Sequence, residues 1–294
     1  MGAKLRAVRR RIRGVQSTMK ITRAMELIAA SQIRRAQQRV EQSRPYAELM
    51  TRAIQDVATG AETLEHPLLE GRPEPKTAAI LVVTSDRGLA GAYNANVLRT
   101  TEELIQAVRS EGKEPKLYVA GRKGQSYFRF RRRPVEEVWS GFSERPRYED
   151  AREIADTLIR AFIEREADEI HGVYTHFVSG LTQRATARRF VPMVVEEVEE
   201  AEGPFPLYLF EPSAEEILAA MLPRYVQTRV FHALLESAAS EHAARRRAMS
   251  AATENAEDLI KSLTRVANQA RQTEITTEIM EIVGAAEALE KVGS

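Results

Sequence analysis

The residues with the plainest chemical reading are two pairs of glycines. Gly88 and Gly91, in SDRGLAGAYN, follow an apolar run that reads as a strand, where a phosphate-binding loop sits in nucleotide-binding folds. Their spacing is G-x-x-G, however, and matches neither of the glycine-rich phosphate-binding patterns; no lysine follows to reach a phosphate. The segment is better read as a tight turn into a helix, with Asp86 near its start. Gly121 and Gly124, in GRKGQS, fail the same test. There is no cysteine, which excludes disulfides, thiolate metal sites and cysteine nucleophiles. The five histidines show no metal-ligand spacing. His171 and His176 fall on opposite faces of a strand segment, His232 and His242 lie ten apart on a helix, and no nucleophile-elbow motif marks a Ser-His-Asp triad. Neither a catalytic residue nor a cofactor is expected.

Charge carries more information. The 43 Lys and Arg nearly cancel 42 Asp and Glu over 294 residues, for a net charge of +1. Residues 1–40, however, hold eleven basic residues, among them Arg9, Arg10, Arg11, Lys20, Arg34 and Arg35, against Glu26 alone. A second basic cluster lies at Arg129, Arg131, Arg132 and Arg133. Acid collects at Glu196–Glu202 and near the C-terminus, at Glu274, Glu278, Glu281, Glu287 and Glu290. Local fields of opposite sign steer different partners even where the total vanishes. The longest apolar run, Ala78–Val83, is too short to span a bilayer, and the N-terminus has no signal-peptide core.

Two long helices must present these charges. Alternating steps of three and four residues from Leu5 reach Val57 and meet thirteen apolar residues in sixteen, many of them small (Ala29, Ala36, Ala47). Pro45 predicts a bend near Ser43, and Gly60 a stop. Near the other end, Arg224–Val283 contains neither Gly nor Pro, and the same stride picks out Met249, Ala252, Ala256, Leu259, Leu263, Val266, Ala270 and Thr273. Such helices at both ends predict an antiparallel coiled coil, with two separate bundle helices as the alternative. Between them the period changes. Thr77–Thr84, Lys116–Ala120 and Glu169–Thr175 read as strands, Asn94–Ser110 and Tyr148–Glu166 as helices, and Gln183–Arg188 and Phe190–Val198 as further strands. The expected fold is α/β plus a long antiparallel coiled coil: a helix over 1–60, a small Rossmann-like domain over 61–212, and a second helix over 213–294.

Particular segments carry a family resemblance. GVQSTMKITRAMELIAASQIRRAQ (Gly14–Gln37), SDRGLAGAYNANV (Ser85–Val97), SEHAARRRAMSAATENAEDLI (Ser240–Ile260) and RQTEITTEIMEIVGAAEAL (Arg271–Leu289) resemble, in order and spacing, the gamma subunits of F-type ATP synthases. One departure is that Ala285 and Ala286 follow Gly284, where the family usually has Gly-Gly-Ala. The resemblance implies a non-catalytic central-stalk rotor. Its partners would be three alpha and three beta subunits, an epsilon subunit and a c-subunit ring, and no nucleic acid. It would sit peripherally at the cytoplasmic face of a bacterial plasma membrane. It further implies coupling contacts with beta at Lys20, Arg23, Met25, Arg245, Gln272, Thr276 and Glu278. The bearing tip would be Ile275, Ile279, Ile282, Val283 and Leu289, with Ala285 and Ala286 beside them. Tyr208, Phe210 and Glu211 would form a foot facing the c ring. Without the resemblance, the residues leave open a basic coiled-coil protein that binds nucleic acid and a nucleotide-binding α/β enzyme.

Overall fold

A computed structural model describes residues 3–60, 68–69, 71–193 and 213–292. Its elements, in chain order, are α1 (Ala3–Gly60), β1 (Thr77–Val83), α2 (Tyr93–Ser110), β2 (Glu114–Ala120), α3 (Arg122–Phe130), β3 (Glu137–Trp139), α4 (Tyr148–Ile163), β4 (Glu169–Phe177), β5 (Gln183–Val191) and α5 (Ala214–Val292). The chain divides into two units, Met1–Ile28 with Arg246–Ser294 and Ala29–Arg245.

The larger unit is built on a five-stranded sheet of order β3-β2-β1-β4-β5. The first four strands in that order are parallel; β5 returns antiparallel to β4. The central strand explains why the run Ala78–Val83 is apolar throughout. Ala79, Leu81 and Val83 enter a core made with α4 and with the parts of α1 and α5 that belong to this unit. Ala78, Ile80 and Val82 enter a second core under α2 and α3. A parallel strand covered on both faces loses the alternation of a half-exposed one. Gly172 of β4 has a packing role: a Cβ there would lie 2.2 Å from the Phe190 ring.

Both terminal helices are long and continuous, α1 with 58 residues and Pro45 inside it, α5 with 79 and Pro223 inside it. All sixteen positions reached by the stride from Leu5 to Val57 are buried or half-buried. In the smaller unit, Thr22 and Thr253 share a buried hydroxyl–hydroxyl hydrogen bond of 2.8 Å. Farther toward the start of α1, Lys4 and Leu5 share a groove with Val266, Ala270 and Thr273. Contacts therefore advance in opposite directions along the two helices. On α5 the buried line is Met249, Thr253, Ala256, Leu263 and Ala267, whereas Leu259 and Val266 are exposed. One partner helix covers a narrower stripe than the full apolar seam in the sequence. Two short elements, α3 and β3, have no counterpart in the sequence reading.

Candidate functional site

The glycine loop is locked by its neighbours. Ser85 is fully buried; its N–H donates to Asn94 Oδ1 (2.9 Å) and its hydroxyl to Arg87 O (2.6 Å). Asp86 does not cap the helix that follows. Its carboxylate instead accepts from the backbone of Arg122 (3.2 Å), Gly141 (2.7 Å) and Ser143 (3.1 Å), tying the ends of β1, β2 and β3 together. The N–H groups at the start of α3 are consequently occupied: Arg122 donates to Asp86, Lys123 to Ser85 O (3.0 Å) and Gly124 to Thr84 Oγ1 (2.9 Å). A phosphate there would have to displace a carboxylate already held by three amides. Gly121 (φ +103°) lets the chain pass Thr84, whose carbonyl oxygen would lie 2.2 Å from an added Cβ.

The ends of β1 and β4, where an open parallel sheet would leave a ligand crevice, are filled from inside. Thr175 N donates to Ser237 Oγ (3.2 Å), and Ser240 Oγ donates to Thr175 O (3.2 Å). Tyr93, Ala90 and Ala244 pack together there. Burial, with the nearby Glu241 charge, pushes the Tyr93 hydroxyl above its ordinary range. Beside them Arg245 Nη2 donates to Glu241 Oε1 (2.6 Å) and, weakly, to Gly88 O (3.4 Å), while Nη1 pairs with Glu144 (3.1 Å). Burial pushes the Glu241 carboxyl up to about 7 against the pull of Arg245. His242 is buried, which lowers its pKa, and its Nε2 meets Glu144 O at 3.1 Å.

The histidines have carboxylate partners that their sequence spacing does not reveal. His171 Nε2 lies 2.9 Å from Glu169. His176 Nδ1 and His232 Nε2 both meet Glu236, at 2.9 and 3.3 Å. The i,i+4 relation of His232 and Glu236 and the i,i+2 relation of Glu169 and His171 on one strand face could have been found from sequence; the pairing of His176 with Glu236 could not. Among the described residues, no group of three or more His, Cys, Asp or Glu is arranged to hold a metal ion. No described helix is long and apolar enough to cross a membrane.

The residues expected to contact partners divide into four sets. Lys20 and Arg23 are exposed on α1, Arg23 pairing with Glu26 at 3.0 Å, and Met25 is half-buried. Gln272, Thr276 and Glu278 are exposed on α5. Arg245 is different: it is 6% exposed, with its guanidinium engaged as above. Past Glu274, α5 continues beyond the level of Leu5. There Ile275, Ile279, Ile282 and Val283 are 44–69% exposed, and Ala285 is exposed too. Leu289 and Ala286 lie in α5, but their side chains are outside those described, and Tyr208, Phe210 and Glu211 are outside the described residues.

Comparison with known proteins accounts for the two long terminal helices. A family model described as ATP synthase matches residues 4–289. The ATP synthase gamma chain of Parafrankia is 58% identical over 295 residues, covering 98% of this chain and 99% of the relative. The gamma chain of Mycolicibacterium smegmatis is 57% identical, with the same coverage of both. Among solved structures, a chain of the Euglena gracilis mitochondrial ATP synthase (an OSCP, F1 and c-ring structure) superposes with a TM-score of 0.69 at 16% identity, covering 98% of this chain and 95% of that one. A chain of the Tetrahymena thermophila central stalk and c ring gives 0.58 at 24%, covering 79% of this chain and 99% of that one. At these identities the structural likeness speaks to fold.

Proposed function

The chain belongs to the ATP synthase gamma-chain family, a non-catalytic central-stalk subunit, and from that premise we propose how it carries torque. In this reading α1 and α5 pair as an antiparallel coiled coil and form a shaft. The α/β segment is a Rossmann-like insert, with strands in the order 3-2-1-4 and β5 added at the edge. Functionally the chain divides at 1–60, 61–212 and 213–294. Torque passes from a c ring, through a foot at Tyr208, Phe210 and Glu211, to a hexamer of three alpha and three beta subunits. An epsilon subunit sits alongside. The asymmetric shaft drives the beta sites in turn through states of different nucleotide affinity, which couples ion flow to ATP synthesis or hydrolysis. The complex places the subunit peripherally at the cytoplasmic face of the plasma membrane, and no nucleic acid takes part.

The observation that carries this reading is the unbroken α5, which holds a buried line of mostly small side chains and then runs on as an exposed tip bearing Ile275, Ile279, Ile282 and Val283. A continuous hydrogen-bonded helix resists bending, and between Pro223 and Gly284 α5 contains neither proline nor glycine. The tip carries exposed Ile275, Ile279, Ile282 and Val283 interleaved with Thr276, Glu278 and Glu281, so a sleeve around it would meet apolar contacts at most angles and directional ones at a few. Lys20, Arg23, Gln272, Thr276 and Glu278 supply the angle-dependent polar contacts to beta, with Met25 beside them. Arg245 acts from within, fixing the turn at Gly88 to α5 through Glu241 and Glu144. The filled crevice at Tyr93 speaks against a nucleotide-binding enzyme.

Co-expression with alpha and beta subunits, followed by purification through a tag on this chain, tests the proposal. One copy recovered with three beta subunits is expected. A chain that purifies without beta, or that binds duplex DNA with steep salt dependence near physiological salt, contradicts it.

A further inference from the structure

A cleft of about 550 Å³ opens in the larger unit where β4 and β5 begin to part beside α5. Its base is a closed network. Lys113 Nζ donates to Glu111 (2.7 Å) and Glu169 (2.8 Å), and His171 completes the contacts of Glu169 at 2.9 Å. Burial opposes the charge on Glu169, but the bonds from Lys113 and His171 hold its carboxyl below the ordinary range. Both carboxylates of the cleft are thus engaged by Lys113.

The rim is cationic. Arg188 and Arg189 of β5 and Arg229 of α5 line the same space, and among the described residues none of the three pairs with a carboxylate. Arg188 and Arg189 pair in regular register with Gly172 and His171, immediately before a β-bulge. Ile170 pairs with Val191 and His171 with Arg189, leaving Phe190 as the extra residue, buried over Gly172. Both arginines are exposed on this edge strand, open to a ligand from solvent. Arg229, half-buried on α5 with its guanidinium 5.8 Å from the Tyr225 ring, lines the same cleft from another element.

We propose that this cleft binds a phosphate-bearing anion, held by the guanidiniums of Arg188, Arg189 and Arg229 over a base in which Lys113 engages both carboxylates. Guanidinium pairs match the geometry of phosphate oxygens, and the three charges set a preference for a multiply charged group. The same chemistry is presented by a soluble phosphate and by an anionic phospholipid headgroup.

Titration of the full chain with inorganic pyrophosphate, and flotation with phosphatidylglycerol or phosphatidylcholine vesicles, separates the two sources. Saturable pyrophosphate binding identifies a soluble ligand; flotation only with phosphatidylglycerol identifies a headgroup. In either case Arg189→Gln with Arg229→Gln weakens binding at least about tenfold. Arg34→Gln with Arg35→Gln, which removes equal charge from α1, leaves it within about twofold. Circular dichroism melting checks that both variants fold. Absence of binding by the wild-type chain, or equal losses in the two double variants, overturns the proposal. So does binding that appears only when Glu196, Glu197, Glu199 and Glu200 are changed to Gln, because the cleft would then serve the chain's own acidic run.

Discussion

The two units bury side chains by different means. In the larger one, Phe128, Phe162, Ile80, Leu81 and Leu158 are fully enclosed between helices and sheet. In the smaller one the buried line contains Thr22, Thr253, Ala256 and Ala267, and Met249 and Leu263 are its bulkiest members on α5. The larger unit is stable because large groups fill space. The smaller one depends on small groups that let two backbones approach. The difference teaches that the first should be sensitive to removing volume and the second to adding it.

The largest effects should fall in the larger unit. Phe162→Ala empties a fully buried site beneath Arg72, and a loss of about 3–5 kcal/mol is expected in urea unfolding of the chain. Arg245→Ala removes the main counter-charge of Glu241, whose side chain is 1% exposed, and should cost about 3–5 kcal/mol at pH 8. Most of that loss should return in the double variant that also carries Glu241→Gln. The sign with pH can be stated for two neighbours. The Glu241 carboxyl is raised in the folded chain, so its contribution is fullest below its unfolded value near 4.5 and fades as pH rises toward about 7. His242 is lowered, so its contribution is present above 6.5 and fades as pH falls below that. Melting curves between pH 5 and pH 8 should therefore show Glu241→Gln gaining on wild type as pH rises, and His242→Gln gaining as pH falls.

Smaller effects sharpen the other side of the comparison. Ala256→Leu adds volume to the narrow seam and should cost about 1–3 kcal/mol, although the substitution is apolar. Thr253→Val loses the bond to Thr22 and should cost about 1 kcal/mol. Ile279→Ala, at a site 55% exposed, should change unfolding by less than about 0.5 kcal/mol. A large loss at Ile279, or none at Ala256, would break the distinction between the units.

Much of this was legible in the sequence, for reasons that differ by element. The stride from Leu5 to Val57 meets every fully buried residue among those described in α1, because one long helix keeps one period. The run Ala78–Val83 reads as a strand because both of its faces are covered. Strand β3 has three residues and α3 nine, too few to establish a period. The exposure of Leu259 and Val266 was hidden because an apolar residue on a paired helix looks the same whether or not the partner reaches it. In the site, exposed Lys20, Arg23 and Glu278 could be placed on helices from spacing alone. The engagement of Arg245 with Glu144 and Gly88 could not, since it joins residues about a hundred or more positions apart. The pairing of His176 with Glu236 was hidden in the same way.

Rotation tests the central claim most directly. With the alpha and beta subunits fixed to a surface and a bead attached to the larger unit of this chain, ATP should drive unidirectional turning in three steps per revolution. Paired glycines at Leu259 and Ile260 should soften the shaft and widen the bead's angular fluctuations without stopping ATP hydrolysis, because each glycine weakens the helix by about 1 kcal/mol. ATP hydrolysis by the assembled complex with a bead that does not turn would contradict the account.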